Sequence, residues 1–303
     1  MNILVFGAGA IGSFFGGMLS KKENVILLGR NDHVDEINKN GLRISGKTNL
    51  KARIKSFKSI DEVSQNIDLI LLTVKSYDTE KACKEIAKII SNKTIVLSLQ
   101  NGLDNIQKIK KYVDKKNIIA GVTTNGVLFE KPGFIIHTGV GYTTIGKLDN
   151  QKTKRIERII STFNKAGINT TFNSDINREI WLKGIVNSSI NPITTFFNCN
   201  NGYIKKNPIL KKIVENICRE STNIANSCGF DFNESENVKK TMSVITDTRD
   251  NYSSMLQSFN KNKPIEIDSI NGVLINIGKK NQVETILNEM LVYSLKNIKI
   301  CVN

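Results

Sequence analysis

The chain opens MNILVFGAGAIGSFFGGML: a run of strand-forming residues, then three glycines spaced GxGxxG, then an apolar segment of helical character. No other stretch of the sequence restricts the fold so tightly. Gly7 allows a sharp turn out of the strand, Gly9 allows a ligand to approach the backbone, and Gly12 allows the helix to pack closely on the strand. The first N–H groups of such a helix lack intrahelical partners, and its dipole favours an anion in front of them. Gly7, Ala8, Gly9, Ala10, Ile11 and Gly12 are therefore expected to cradle the pyrophosphate of a dinucleotide.

The rest of the first half is consistent with that start. NVILLG (24–29), DLILLTV (68–74) and TIVLSLQ (94–100) are short, buried-strand runs separated by helix-length segments. This is the pattern of βαβ units in a mostly parallel, doubly wound sheet. Further strands are expected at IIAGVTT, GFIIHTG and YTTIG. After GINTTF (167–172) the apolar residues recur at helical spacing, with breaks near NGY (201–203), NSCGF (226–230) and NKNKP (260–264). The expected division is a Rossmann-like α/β domain over 1–170 and an all-helical domain over 171–303. The second strand ends at Arg30, where an acidic residue would bind a ribose 2′-hydroxyl. Arginine suits a 2′-phosphate, so NADP is favoured over NAD, although Asp32 is near enough to serve a hydroxyl and Arg30 also reads as a surface residue.

Composition excludes several classes. A hydrophobic content of 40% with 4 prolines indicates a folded protein. No apolar run reaches the roughly 18 residues of a membrane span. The positive charges near the start follow the apolar stretch, unlike a signal peptide, so a cytoplasmic protein is expected. Cys83, Cys199, Cys218, Cys228 and Cys301 are scattered without CxxC spacing, which suggests reduced thiols. With only His33 and His137 available, no metal is expected; His137 is read as structural. The net charge of +15 is spread over segments such as KIKKYVDKK and IKKNPILKK, with no aromatic–glycine motif between them. It is read as solvated surface and not as a nucleic-acid site, and its field favours anionic substrates and phosphate-bearing cofactors.

The second domain opens on WLKGIVNSSIN (181–191). Trp181, Leu182, Ile185, Val186 and Ile190 are apolar, yet Lys183, Asn187 and Asn191 recur every four residues and stack on one helix face. Burying an ammonium is costly unless something uses it. Reduction of a ketone by hydride creates an alkoxide, which a positioned ammonium can stabilise and protonate. Amides bind hydroxyl and carbonyl groups without adding a competing charge. Gly184 would leave room beside the lysine. Plainer roles stay open: Lys183 could snorkel to solvent, and Pro192 discourages helical geometry at Asn191, making it a helix terminator as readily as a ligand. Asn101 before Gly102 could be a turn, and Glu266 could pair with a surface lysine.

The pieces GAGAIGS, TVKSYDT, LSLQNGLDN, GVTTNG, WLKGIVNSSINPIT, NYSSMLQ and EIDSINGVL appear in the order and spacing of one family. The chain resembles ketopantoate reductase (2-dehydropantoate 2-reductase) nearly end to end. The resemblance implies a Rossmann domain and a helical domain of 6-phosphogluconate-dehydrogenase-like architecture. It also implies NADPH-dependent reduction of 2-dehydropantoate to (R)-pantoate, on the route to pantothenate and coenzyme A. By motif, Lys183 is the catalytic lysine and proton donor, and Glu266 the family's glutamate. Asn187, Asn191, Asn201 and Ser254, with Ser253 beside it, contact substrate. Asn101 lies between nicotinamide and substrate, and Lys75 and Gly126, with Glu266, contact the cofactor. The partners implied are a small anionic keto acid and at most a second copy of the chain in a homodimer. A β-hydroxyacid or opine-type dehydrogenase of the same architecture, or a dinucleotide-sensing regulator without catalysis, are the competing readings.

Overall fold

A computed structural model describes residues 1–298; Cys301 lies outside them. Two compact units are present. The first comprises Met1–Gln100 and Asn105–Asn177, the second Asn101–Asp104 and Arg178 onward.

The first unit runs β1 (Asn2–Phe6), α1 (Ala10–Leu19), β2 (Asn24–Leu28), α2 (Asn31–Asn40), β3 (Leu42–Gly46), β4 (Leu50–Ala52), β5 (Lys55–Phe57) and β6 (Leu69–Leu72). It continues α3 (Thr79–Ile86), β7 (Ile95–Ser98), α4 (Asn105–Ile109), β8 (Ile118–Thr123), β9 (Gly126–Lys131), β10 (Phe134–Gly139), β11 (Thr143–Lys147), α5 (Lys154–Lys165) and β12 (Thr170–Phe172). Eight strands form one sheet in the order β12-β11-β8-β7-β6-β1-β2-β5. It is parallel from β5 to β8, and β11 runs antiparallel to β8. Strands such as Leu69–Leu72 are buried on both faces, which is why they read as unbroken apolar runs. From β1 the chain proceeds outward through β2 to β5, then returns to β6 on the other side of β1. The sheet's direction of winding therefore switches between β1 and β6, where doubly wound folds bind ligands.

A second sheet, ordered β4-β3-β10-β9, was not foreseen as a sheet; of its strands only β10 was expected. Its strands are short or half-buried and carry polar residues, so they lack the apolar signature of the main sheet. It lies against α1, and the close approach depends on Gly17, where a Cβ would come within 2.7 Å of Ile44 Cδ1.

The second unit is helical: α6 (Ile176–Phe196, whose first two residues belong to the first unit), α7 (Asn201–Lys206), α8 (Pro208–Asn226), α9 (Glu234–Asp247), α10 (Ser254–Phe259), α11 (Val273–Lys280) and α12 (Ile286–Asn297). A π-helical turn, Asp268–Gly272, leads directly into α11. The apolar residues of WLKGIVNSSIN enter two cores. Trp181, Leu182 and Ile185 pack with Cys218, Phe232 and Val238, while Val186 and Ile190 pack with Ile193, Ile204 and Val214. One of the two readings left open for Asn191 is closed here. Asn191 does not end the helix: α6 continues through Pro192 to Phe196, because the surrounding packing outweighs the local bias of a residue before proline. The break expected near NGY falls just before it, at 197–200, and Asn201 begins α7, capped by the Asn200 side chain accepting from Tyr203 N–H.

Candidate active site

In the first unit the glycine turn sits at the switch point. Gly7 adopts φ +109°, and a Cβ there would stand 2.6 Å from Val74 N. At Gly12 a Cβ would stand 2.2 Å from Gly7 O and 2.6 Å from Thr73 Oγ1, so helix and turn touch with no room for a side chain. Gly9 differs: nothing lies nearer than 4.0 Å to its Cβ position, so its face of the turn, at the N-cap of α1, is open. A closed turn with one open glycine at a helix start is the shape that fits a pyrophosphate. Thr73 fixes it, donating its hydroxyl to Gly7 O at 2.8 Å while its N–H donates to Phe6 O at 2.9 Å.

Arg30 is exposed at the N-cap of α2, beyond the end of β2, with Asp32 exposed in the helix's first turn. Three residues on, His33 is buried and tied to the glycine helix. Its Nδ1 accepts from Gly133 N–H at 2.9 Å, so Nε2 carries the proton and donates to Ser13 Oγ at 2.9 Å. Burial lowers this imidazole to about 4. Lys75 is half-buried just after β6, at the start of a short helical turn. Gln100 Nε2 donates to Val74 O at 2.9 Å and to Thr79 Oγ1 at 2.7 Å, bracing that loop. Gly126 starts β9 opposite Gly139, where a Cβ would meet Thr138 Oγ1 at 2.8 Å; packing of the second sheet therefore suffices to require glycine. His137 is structural as read, with Nδ1 paired to Thr48 Oγ1 and Nε2 to Gly139 O. Thr73, Ser13 and Gln100 were not singled out in the sequence, where a threonine or glutamine at a strand end carries no distinctive signal.

The second unit gathers the remaining residues. Lys183 is half-buried on α6, and burial lowers its ammonium from the ordinary 10.5 to about 8, against an upward pull from the Glu266 carboxylate. Glu266 is only 7% exposed, and its carboxylate acts electrostatically on Lys183. Gly184 does not leave room beside the lysine as expected. Its Cβ position is 2.6 Å from Leu103 Cδ2, so the missing side chain admits Leu103, two residues after Asn101. Asn101 does precede a turn, with Gly102 at φ +106°, and the turn is anchored by Leu103 N–H donating to Ser269 O at 2.9 Å.

Asn187 is half-buried and Asn191 buried, and neither side chain serves as a helix cap. Asn201 is 7% exposed; its Nδ2 donates to Thr248 Oγ1 at 2.8 Å, while its buried Oδ1 has no partner among the described residues. A buried acceptor left open in this way suits a ligand hydroxyl. The two serines separate. Ser253 is buried, its hydroxyl capping α10 at Leu256 N–H and accepting from Thr194 Oγ1 at 2.8 Å. Ser254, the first residue of α10, is exposed.

Comparison with known proteins gives a consistent result. The family model described as ketopantoate reductase PanE/ApbA matches residues 3–150, and that of its C-terminal domain matches residues 175–299. The 2-dehydropantoate 2-reductase of Pyrococcus horikoshii is 42% identical over 292 residues, covering 96% of this chain and 95% of that protein. Among solved structures, D-mandelate dehydrogenase with NADH and anilino(oxo)acetate superposes with a TM-score of 0.92 at 30% identity, covering 98% of this chain and 97% of its own. The 2-dehydropantoate 2-reductase of Geobacter metallireducens also reaches a TM-score of 0.92, at 25% identity over 98% of this chain and 99% of its own. With both family models matched in sequence and a Rossmann-like unit preceding a helical one, the chain belongs to the ketopantoate reductase family of oxidoreductases.

Proposed function

We propose that this protein reduces 2-dehydropantoate to (R)-pantoate with NADPH, on the route to pantothenate and coenzyme A. The observation that carries the reading is the Lys183–Glu266 pair: an ammonium brought down to about 8 by burial, facing a buried carboxylate, on a helix that also bears two asparagines. A nicotinamide dinucleotide supplies the hydride when bound. Its pyrophosphate is held by the turn Gly7–Gly12, with Lys75, Asn101 and Gly126 as further cofactor contacts, and Arg30 meets a 2′-phosphate. In this reading the first unit supplies most of the dinucleotide contacts, while the second supplies Asn101 and the substrate contacts.

The chain's own residues then divide the work. Protonated Lys183 donates a hydrogen bond to the ketone oxygen, stabilises negative charge as it develops there, and delivers its Nζ proton to that oxygen. Glu266 holds the ammonium in place and limits how far burial depresses it. Asn187, Asn191 and the open Oδ1 of Asn201 meet the substrate's hydroxyl and carbonyl groups, and Ser254 donates to its carboxylate. The positive net charge favours arrival of an anionic substrate.

A second reading follows from the structural likeness to D-mandelate dehydrogenase: an NAD-dependent dehydrogenase of another 2-hydroxy acid. Initial rates with ketopantoate and NADPH, compared with NADH and with oxidation of D-mandelate by NAD, separate the two. Preferred turnover of ketopantoate with NADPH supports the proposal, and Lys183→Ala should then lower kcat by a factor on the order of 10² to 10⁴ with NADPH affinity retained. Turnover of D-mandelate without turnover of ketopantoate would replace it.

A further inference from the structure

Proline lacks the N–H that a helix interior requires, so Pro192 leaves the carbonyl four residues earlier, that of Ser188, without its backbone partner. Ser188 is fully buried, where an unpaired carbonyl is costly. The donor comes from elsewhere in the unit: Asn271 Nδ2 donates to Ser188 O at 3.0 Å and to Asn288 Oδ1 at 2.8 Å. Asn288 in turn donates to Glu220 Oε1 at 2.7 Å, tying the arrangement to α8. Asn271 is 0% exposed, and its Oδ1 has no partner among the described residues. An amide that leaves its own oxygen unsatisfied is held there for what it donates.

Asn271 lies in the π-helical turn, five residues after Glu266. The same turn accepts Leu103 N–H at Ser269 O, two residues after Asn101. One irregular turn therefore meets the segment of Asn101 and the helix of Lys183, and follows directly on Glu266. π-Helical turns are rare and recur at functional sites.

We propose that Asn271 is a positioning residue: its amide, seated on the carbonyl that Pro192 leaves open, fixes the π-helical turn and the Glu266 before it against the helix bearing Lys183. The proposal rests on the reading of Lys183 as proton donor. It differs from a purely structural role, in which Asn271 only satisfies the Ser188 carbonyl.

The two are separated by Asn271→Leu and Asn271→Ser, each alone and combined with Pro192→Ala in the full chain. Alanine at 192 supplies an N–H to Ser188 O from within the helix, removing the unsatisfied carbonyl without restoring the link to the turn. The combined variants should regain part of the lost Tm, the share due to the Ser188 carbonyl, since Asn288 Oδ1 still lacks its donor; they should bind NADPH within about twofold of wild type, yet keep a kcat lowered by about tenfold or more, the scale of a misplaced reacting group. A second readout needs no substrate: the pH midpoint for acetylation of Lys183, followed by peptide mass spectrometry. It should fall below the wild-type midpoint as Glu266 moves away. Recovery of kcat together with Tm, or an unchanged midpoint, overturns the proposal, and so does failure of both combined variants to fold. If the wild-type chain does not reduce ketopantoate, the proposed function fails, while the acetylation midpoint still decides the role of Asn271.

Discussion

An ammonium titrating at about 8 instead of 10.5 narrows the pH range in which a lysine can act as a proton donor. Lys183 must be protonated to donate, so kcat/KM should be level below about pH 7 and fall tenfold per unit well above pH 8. At about pH 9.5 only about one molecule in thirty would carry the proton, whereas a lysine at its ordinary value would remain almost fully charged. The two cases thus differ by a factor of about thirty in rate at that pH. The sign of the Glu266 effect follows from its charge: the carboxylate raises Lys183 against burial, so Glu266→Gln should move the falling limb to lower pH. The assay is NADPH oxidation at saturating NADPH and subsaturating ketopantoate, from about pH 6 to 10.5. A wild-type limb near 10.5, or a limb moved upward by Glu266→Gln, refutes the reasoning. The same displacement has a stability counterpart. Because the folded value is below the unfolded one, the unfolded chain binds more protons between about pH 8 and 10.5, and stability rises with pH across that window. Near pH 7 the cost is at most about 3.5 kcal/mol, taking about 1.4 kcal/mol per unit, and less because the half-buried side chain is partly screened. Lys183→Met should therefore abolish reduction while raising Tm.

Gly12→Ala places a Cβ 2.2 Å from a backbone oxygen that cannot move away, so NADPH affinity should fall by about tenfold or more with a loss of Tm; calorimetric titration checks it. Gly184→Ala pushes on Leu103, and should cost about 1–3 kcal/mol of stability with a drop in kcat as the Asn101 turn shifts, read by urea denaturation and steady-state rates. His33 is neutral in the fold and lowered to about 4, so its share of stability is complete above pH 6.5 and lost by about pH 4, about 3 kcal/mol in total. His33→Gln should flatten the stability–pH curve in that window, and an NMR titration of His33 near 6.5 would contradict the assignment.

The main sheet was legible because β1, β2, β6 and β7 are buried on both faces and read as apolar runs. β3, β4 and β9 were not, since their residues are short-range, polar or half-buried and gain their pairing only against β10 and α1. Within the site, Lys183 and Asn187 stood out because polar residues on an apolar helix violate its pattern. Ser253 and Ser254 could not be told apart, because capping depends on where a helix begins. Asn191 stayed ambiguous because of Pro192, since the donor that makes a proline tolerable inside α6 comes from Asn271, 79 positions after it.

The sequence alone determined the strand–glycine turn–helix start, the alternation of strands with helices, the change to helical periodicity after residue 172, and the polar row on α6. Those features are local: periodicity, glycine spacing and side-chain chemistry express themselves within a few turns of chain. Only the tertiary structure decided which glycine faces open space, that Gly184 makes way for Leu103, that burial and Glu266 together set the acidity of Lys183, and that Asn271 completes a helix broken by Pro192. Each of these depends on desolvation or contact between residues distant in sequence. Packing, not pattern, supplies both.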